Sequence, residues 1–152
     1  MRLRWLVVLM SAVLPFLSAC AGPYSDAQKE LRQNEQRWEA QKFDDYRYTL
    51  RILCFCPTEI TDPVVVEVRG GVTVSLTYAV DGRPATNDLF ESANTIDELF
   101  DIIRDAISQK ASKLTVEYDG AMGYPKQITI DPIETAIDEE RAYTVSELTP
   151  LR

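Results

Sequence analysis

The run from Asp45 to Cys56 constrains the fold more than any other segment of this chain. Tyr46, Tyr48, Leu50, Ile52, Cys54 and Cys56 alternate with Arg47, Thr49, Arg51, Leu53 and Phe55. A period of two reads as a long strand with one set on each face. Such a strand must find partners along its edges and a cover for its apolar face. Val64 to Val68 and Val72 to Tyr78 supply two more strands around Gly70-Gly71. A two-residue Gly-Gly loop would set Val68 against Thr73 and Val66 against Ser75, which mixes the faces. Pairing Val68 with Val72, Val66 with Val74 and Val64 with Leu76 keeps one face apolar. The expected connection is therefore Arg69-Gly70-Gly71, with a glycine in the left-handed region.

Helical periodicity flanks these strands. Ser25 and Gln28 read as a capping box that opens a helix from Asp26 to about Phe43, with Ala27, Leu31 and Trp38 on one side. Thr95 and Glu98 read as a second box. From there Ile96, Leu99, Phe100, Ile103, Ala106 and Ile107 recur at helical spacing through about Lys110, forming a core stripe. The polar stretch from Ala79 to Asn94 has Asp81-Gly82 and Pro84 as turn signals, and its length suits a mobile lid or rim. Leu114, Val116 and Tyr118 mark a fourth strand and Ile128 and Ile130 a fifth, joined through a hairpin loop at Asp119–Pro125. Ala142 to Leu148 gives a weaker sixth strand, expected at an edge. The order is helix, three strands, helix, three strands. Runs of hairpin-connected strands argue for an α+β domain: an antiparallel sheet of five or six strands with two helices on one face.

The N-terminus has a different character. Arg2 and Arg4 precede an apolar run from Trp5 to Leu17. At about 13 residues it fits the ~7–15 of a signal-peptide core and falls short of the ~20 that span a bilayer. Leu17-Ser18-Ala19-Cys20 then resembles a bacterial lipobox, in which an aliphatic and two small residues precede the cysteine that receives lipid. The expected organisation is a signal peptide over 1–19, a lipidated N-terminus and linker over 20–25, and one α+β domain over 26–152. Acylation of Cys20 makes the lipid bilayer the first expected partner, because stable anchoring takes more than one acyl chain. Ala21 follows the cysteine. By resemblance to known sorting behaviour, that implies the outer membrane, facing the periplasm, in a Gram-negative host; otherwise the expected location is the outer face of the cell membrane.

Charge and missing residue types narrow the chemistry. Removing Arg2 and Arg4 from 16 Lys and Arg leaves 14 cations against 24 Asp and Glu, a net −10 for the mature chain. An acidic domain is not expected to bind nucleic acid or anionic headgroups, both of which reward Lys and Arg clusters. There is no histidine. That removes Ser-His-Asp and Cys-His nucleophile systems, His-ligated zinc and most copper sites. No catalytic constellation, cofactor or metal is called for, and a non-enzymatic domain is expected.

Trp38, Tyr46-x-Tyr48, Cys54-x-Cys56-Pro57, the Thr95–Phe100 helix start, Tyr118-Asp119, Gly123-Tyr124-Pro125 and a final Tyr143 form a recurring pattern. Together they resemble an uncharacterised family of secreted or lipid-anchored bacterial proteins, a domain of unknown function. The likeness covers about Trp38 to Leu148. It implies an envelope location and carries no activity, catalytic residue or cofactor with it.

Three groups remain as candidate sites. Cys54 and Cys56 are the thiols left once Cys20 is lipidated, and an oxidising compartment favours a disulfide between them. Residues i and i+2 of an extended strand lie roughly 6.6 Å apart, near the ~6.8 Å limit for a bridge, so pairing them needs a local bend, which Pro57 makes plausible. A redox-active dithiol and a Cu(I) site are the competing readings; nothing visible lowers a thiol pKa, and no Met or His cluster completes a copper shell. Asp131, Glu134, Asp138, Glu139 and Glu140 surround one loop, but their spacing is not that of a calcium loop and Pro132 interrupts it, so a solvated loop is the better reading. Tyr46, Tyr48, Tyr118 and Tyr124 are read as core rather than as the lining of a groove. The functional expectation is a binding or accessory domain with an envelope protein partner. The alternative is a thiol-disulfide redox protein acting through Cys54 and Cys56.

Overall fold

A computed structural model describes residues 22–136 and 138–151. The segment 1–19 and Cys20 lie outside the described residues. The elements run α1 (Pro23–Glu39), β1 (Tyr46–Leu53), α2 (Thr58–Thr61), β2 (Val64–Arg69), β3 (Val72–Tyr78), a 3₁₀ turn (Asp88–Phe90), α3 (Ile96–Ser108), β4 (Lys113–Tyr118), β5 (Pro125–Asp131) and β6 (Arg141–Pro150). The six strands form one antiparallel sheet in the order β3-β2-β1-β6-β5-β4. The expected α+β class stands, with the short α2 as an addition.

The inner face of the sheet is the apolar one. Tyr46, Tyr48, Leu50 and Ile52 of β1 join Val64, Val66 and Val68 of β2, Ile128 of β5, and Tyr143 and Val145 of β6 in a single buried cluster. Leu31 and Trp38 of α1 and the Ile96, Leu99, Phe100 and Ile103 stripe of α3 complete that cluster. Fully burying one such side chain is worth roughly 1.5–3 kcal/mol. Helix α3 starts as its sequence dictates: Thr95 Oγ1 accepts from Glu98 N at 3.1 Å and Glu98 Oε2 accepts from Thr95 N at 3.1 Å. These bonds satisfy backbone donors that have no partner inside the helix.

Four local expectations need correction. Helix α1 begins at Pro23, not Asp26, so it occupies part of the stretch read as linker and ends at Glu39 rather than Phe43. Gly22 is its N-cap, and Ser25 Oγ donates back to Gly22 O at 2.6 Å instead of capping. Proline suits the first turn because its missing N–H would have no partner there. Lys42 in the left-handed region (φ 55°) then separates the helix from Phe43.

The β2–β3 loop is the two-residue Gly70-Gly71, with Arg69 opposite Val72 and Val68 opposite Thr73. Both glycines have positive φ (57° and 75°), the turn that matches the natural twist of a hairpin. The mixing of faces is avoided by a bulge: the register shifts between Glu67 and Val68, leaving Val66 opposite Leu76 and Val64 opposite Tyr78. Val72 and Val74 consequently stand exposed. The loop is tied down by Gly70 N, which donates to Asp45 Oδ1 at 2.8 Å. That bond and the Arg69 guanidinium hold the Asp45 carboxyl below the usual range.

Strand β6 is central, not an edge: it pairs with β1 from Pro150 to Ala142 and with β5 from Thr144 to Arg141. Its sequence looks weak because a bulge breaks the alternation. Arg47 faces Thr149 but Thr49 faces Ser146, and the extra residue, Glu147, has φ 56°. The stretch 79–94 is irregular as expected, but it is held to the core rather than standing free as a lid. Ala85, Phe90 and Ala93 are buried, and Pro84 bridges to Thr77.

Candidate functional site

The regular part of the alternating run stops at Leu53, short of the expected Cys56. The chain bends through Cys54, Phe55 and Cys56, drawing the two cysteine Cα atoms to 5.2 Å and their sulfurs to disulfide distance. This is the bend that an i, i+2 pair requires, since a straight strand would leave roughly 6.6 Å. Both cysteines pack against the core, whereas Phe55 between them is 81% exposed. Beyond Pro57 the short α2 drives Ile60 into the core, and Arg51 Nε donates to Thr61 O at 3.3 Å. The loop is thus fixed at both ends while its aromatic tip faces solvent.

Beside that tip lies an open cleft of about 650 Å³. Its floor is a row on the sheet face away from α1 and α3. Leu53 of β1 pairs with Ala142 of β6, and Ala142 pairs with Thr129 of β5. Cys54 and Phe55 form one wall; Ala136, Asp138 and Glu140 of the acidic loop form the other, with Arg141 at the end. An apolar floor with two carboxylates on the rim suits a ligand that is apolar in part and cationic in part. Phe55, Leu53 and Arg141 were not singled out from sequence. The available signal was an aromatic enclosed between two cysteines on the solvent-facing parity.

The acidic loop contributes Asp138 and Glu140 to this wall. Among the described residues no three His, Cys, Asp or Glu side chains converge on a common point. Asp131 instead accepts from Ile133 N at 3.1 Å, closing its own turn, and Glu134, Asp138, Glu139 and Glu140 are exposed.

Of the aromatic set, Tyr46, Tyr48 and Tyr124 are buried in the core, and Tyr118 is partly buried against it. Trp38 stands edge-on to Tyr46, Phe43 and Tyr124 at ring distances of 5.2, 6.0 and 6.2 Å. Its indole Nε1 donates to Asp97 Oδ1 at 3.2 Å, and Tyr46 OH accepts from Ile96 N at 3.1 Å. Helix α1, strand β1 and the start of α3 are joined through these bonds. Burial pushes the hydroxyls of Tyr46, Tyr48 and Tyr118 well above the usual tyrosine range. Tyr48 OH is fully buried and has no hydrogen-bond partner among the described residues. Gly123 explains part of the Gly-Tyr-Pro motif. Its φ is 87°, and a Cβ there would lie 2.4 Å from Asn34 O and 2.9 Å from Arg37 Cβ on α1. Only glycine lets the β4–β5 loop sit this close to the helix.

Among the described residues the fold is thus an open-faced α+β layer pair, helices on one side and an uncovered sheet face on the other, with a cysteine-bounded cleft at one corner. Residues 30–150 match the model of the family of unknown function DUF6174, and the chain belongs to that family. No curated protein and no solved structure shows significant similarity to it.

Proposed function

We propose that this protein is a lipid-anchored envelope module, held to its membrane through acylated Cys20, that binds an envelope protein non-enzymatically in the cleft beside Phe55. The observation that carries the reading is the exposed Phe55. A large aromatic at 81% exposure contributes nothing to the core, yet the chain fixes it between two core-packed cysteines at the rim of a cleft. Rigid aromatics at pocket rims dominate recognition energetics because little side-chain entropy is lost on binding. The fitting partner segment carries an apolar side chain for the Leu53–Ala142 floor and a Lys or Arg for Asp138 and Glu140.

The test is a photo-crosslinking amino acid at position 55 in intact cells, with Ser108 at the end of α3 as control. A discrete adduct at 55, absent at 108 and lost on Asp138→Lys with Glu140→Lys, is expected. Equal labelling at both positions overturns the reading. Anchoring is tested separately: Cys20→Ala is expected to leave the membrane fraction, and unchanged partitioning counts against lipidation.

Cys54 also lines the cleft, which favours thiol-disulfide exchange as a second reading. A substrate thiolate would attack one sulfur of the pair, forming a mixed disulfide and releasing the other cysteine as thiolate. A Cys54→Ser, Cys56→Ser variant that keeps the position-55 adduct favours the binding module; loss of a redox phenotype without loss of stability favours exchange.

A further inference from the structure

The two edges of the sheet differ in how they are finished. Edge strand β3 is blunted: a bulge interrupts it at Val74, and its own following loop covers it. In that loop Tyr78 N donates to Arg83 O and Ala85 N to Leu76 O, both at 2.9 Å. Bulges and covering loops are the usual ways of closing an edge against pairing. Among the described residues edge strand β4 has neither along Lys113–Glu117. Its register against β5 is regular from Lys113 to Glu117, and among the described residues no strand occupies its other side. Its inward residues Leu114, Val116 and Tyr118 are only half-buried, so the core is thinnest there.

We propose that the β4 edges of two copies of this chain pair antiparallel about Thr115, continuing the sheet across a two-fold axis. The occupant is argued from self-complementarity. In an antiparallel pair, residues directly opposite share a face, so only registers that set like parity against like keep Leu114 and Val116 on the helix side. Centring on Thr115 does so and sets Lys113 opposite Glu117 of the second copy, twice over, with Leu114 opposite Val116. Opposite charges facing one another stabilise a strand pair, and like charges destabilise it. Centring on Leu114 leaves both charges without a counterpart. Centring on Val116 sets Glu117 against Thr115 and pairs Lys113 with Asp119, which lies beyond the end of β4 and past the register shift at Glu117/Tyr118. Glu117 also receives Lys126 Nζ of its own chain at 3.1 Å, an exposed contact that leaves its second oxygen for Lys113 of the other copy. A two-fold strand pair is an isologous interface, the commonest kind in homo-oligomers.

The test uses the full chain in intact cells. Thr115→Cys, opposite itself across the axis, is expected to give a reducible dimer on mild oxidation, with peptide mapping placing the bridge between two copies of position 115. Ser108→Cys, exposed at the end of α3, serves as control. Lys113→Glu or Glu117→Lys in the Thr115→Cys background is expected to lower the dimer yield roughly tenfold by turning both cross-strand pairs repulsive. The double exchange restores it. A Thr115→Cys yield no higher than the control overturns the proposal, as does a yield indifferent to the single reversals or a double exchange that fails to rescue. Each variant side chain is on the solvent-facing side of β4, and a thermal melt coincident with wild type excludes misfolding.

Discussion

Strand β1 carries two rows of side chains that lead opposite lives. On the helix side Tyr46, Tyr48, Leu50 and Ile52 are between 0 and 4% exposed, wedged under α1 and α3. On the bare side the row starts as Arg47, Thr49 and Arg51 and turns apolar at Leu53, the last residue of the strand, and at Phe55 in the bend just beyond it, which are 43 and 81% exposed. Polar residues on an uncovered face need no explanation, because water satisfies them. Apolar ones at its end do, since among the described residues no layer lies over them. The difference separates residues closed into the core from residues open to solvent, and it falls within one strand and the bend that follows it.

The sharpest way to break this comparison is to truncate one residue from each row. Leu50→Ala is expected to cost about 2–5 kcal/mol, the range for a large-to-small change in a closed core, read as a lower urea midpoint at unchanged slope. Phe55→Ala is expected to change the unfolding free energy by less than about 0.5 kcal/mol while abolishing the adduct formed from a photo-crosslinking amino acid at Ala142, which also lines the cleft. Comparable losses of stability in the two variants would remove the distinction. Gly123→Ala tests the cover over the inner row. With positive φ and a backbone oxygen in the way, it is expected to cost about 1–3 kcal/mol, measured by thermal or urea unfolding.

Smaller effects sharpen the comparison further. The Cys54→Ser, Cys56→Ser variant opens a very short loop, so the loss in unfolding free energy is expected to be about 1.6 kcal/mol at most. Tyr48→Phe removes a buried hydroxyl that has no partner among the described residues. It should leave stability unchanged or raise it by about 1 kcal/mol, because an unsatisfied buried polar group costs more than its absence. A clear loss in denaturant titration would show that Tyr48 OH has a partner, and that the inner row is less dry than its geometry indicates.

What could be read from the chain follows the range of the forces involved. The Thr95–Glu98 capping box, the α3 stripe and the β1 alternation rest on neighbours within a few residues, and each was visible directly. The hairpin at Gly70-Gly71 was visible as a hairpin but not in its register. Face matching correctly demanded an adjustment, and the fold supplied a bulge at Val74 instead of a longer loop. Strand β6 reads as an edge strand in the sequence because the bulge at Glu147 breaks the period on which strand recognition depends. Cys54 and Cys56 stood out as residue types, whereas Phe55 did not, because exposure is a property of what surrounds a residue.

By itself, then, the sequence determined the α+β class, the order of elements, the core stripe of α3 and the apolar row of β1. These come from local backbone preference and from the periods of 3.6 and 2 with which side chains repeat. Only the tertiary structure decided that β6 joins the two halves of the sheet, that Gly123 must be bare to meet α1, and that Leu53, Ala142 and Thr129 form one floor. Those three outcomes depend on which distant strands become neighbours. Pairing of that kind is set by the simultaneous burial of many apolar groups rather than by any single segment.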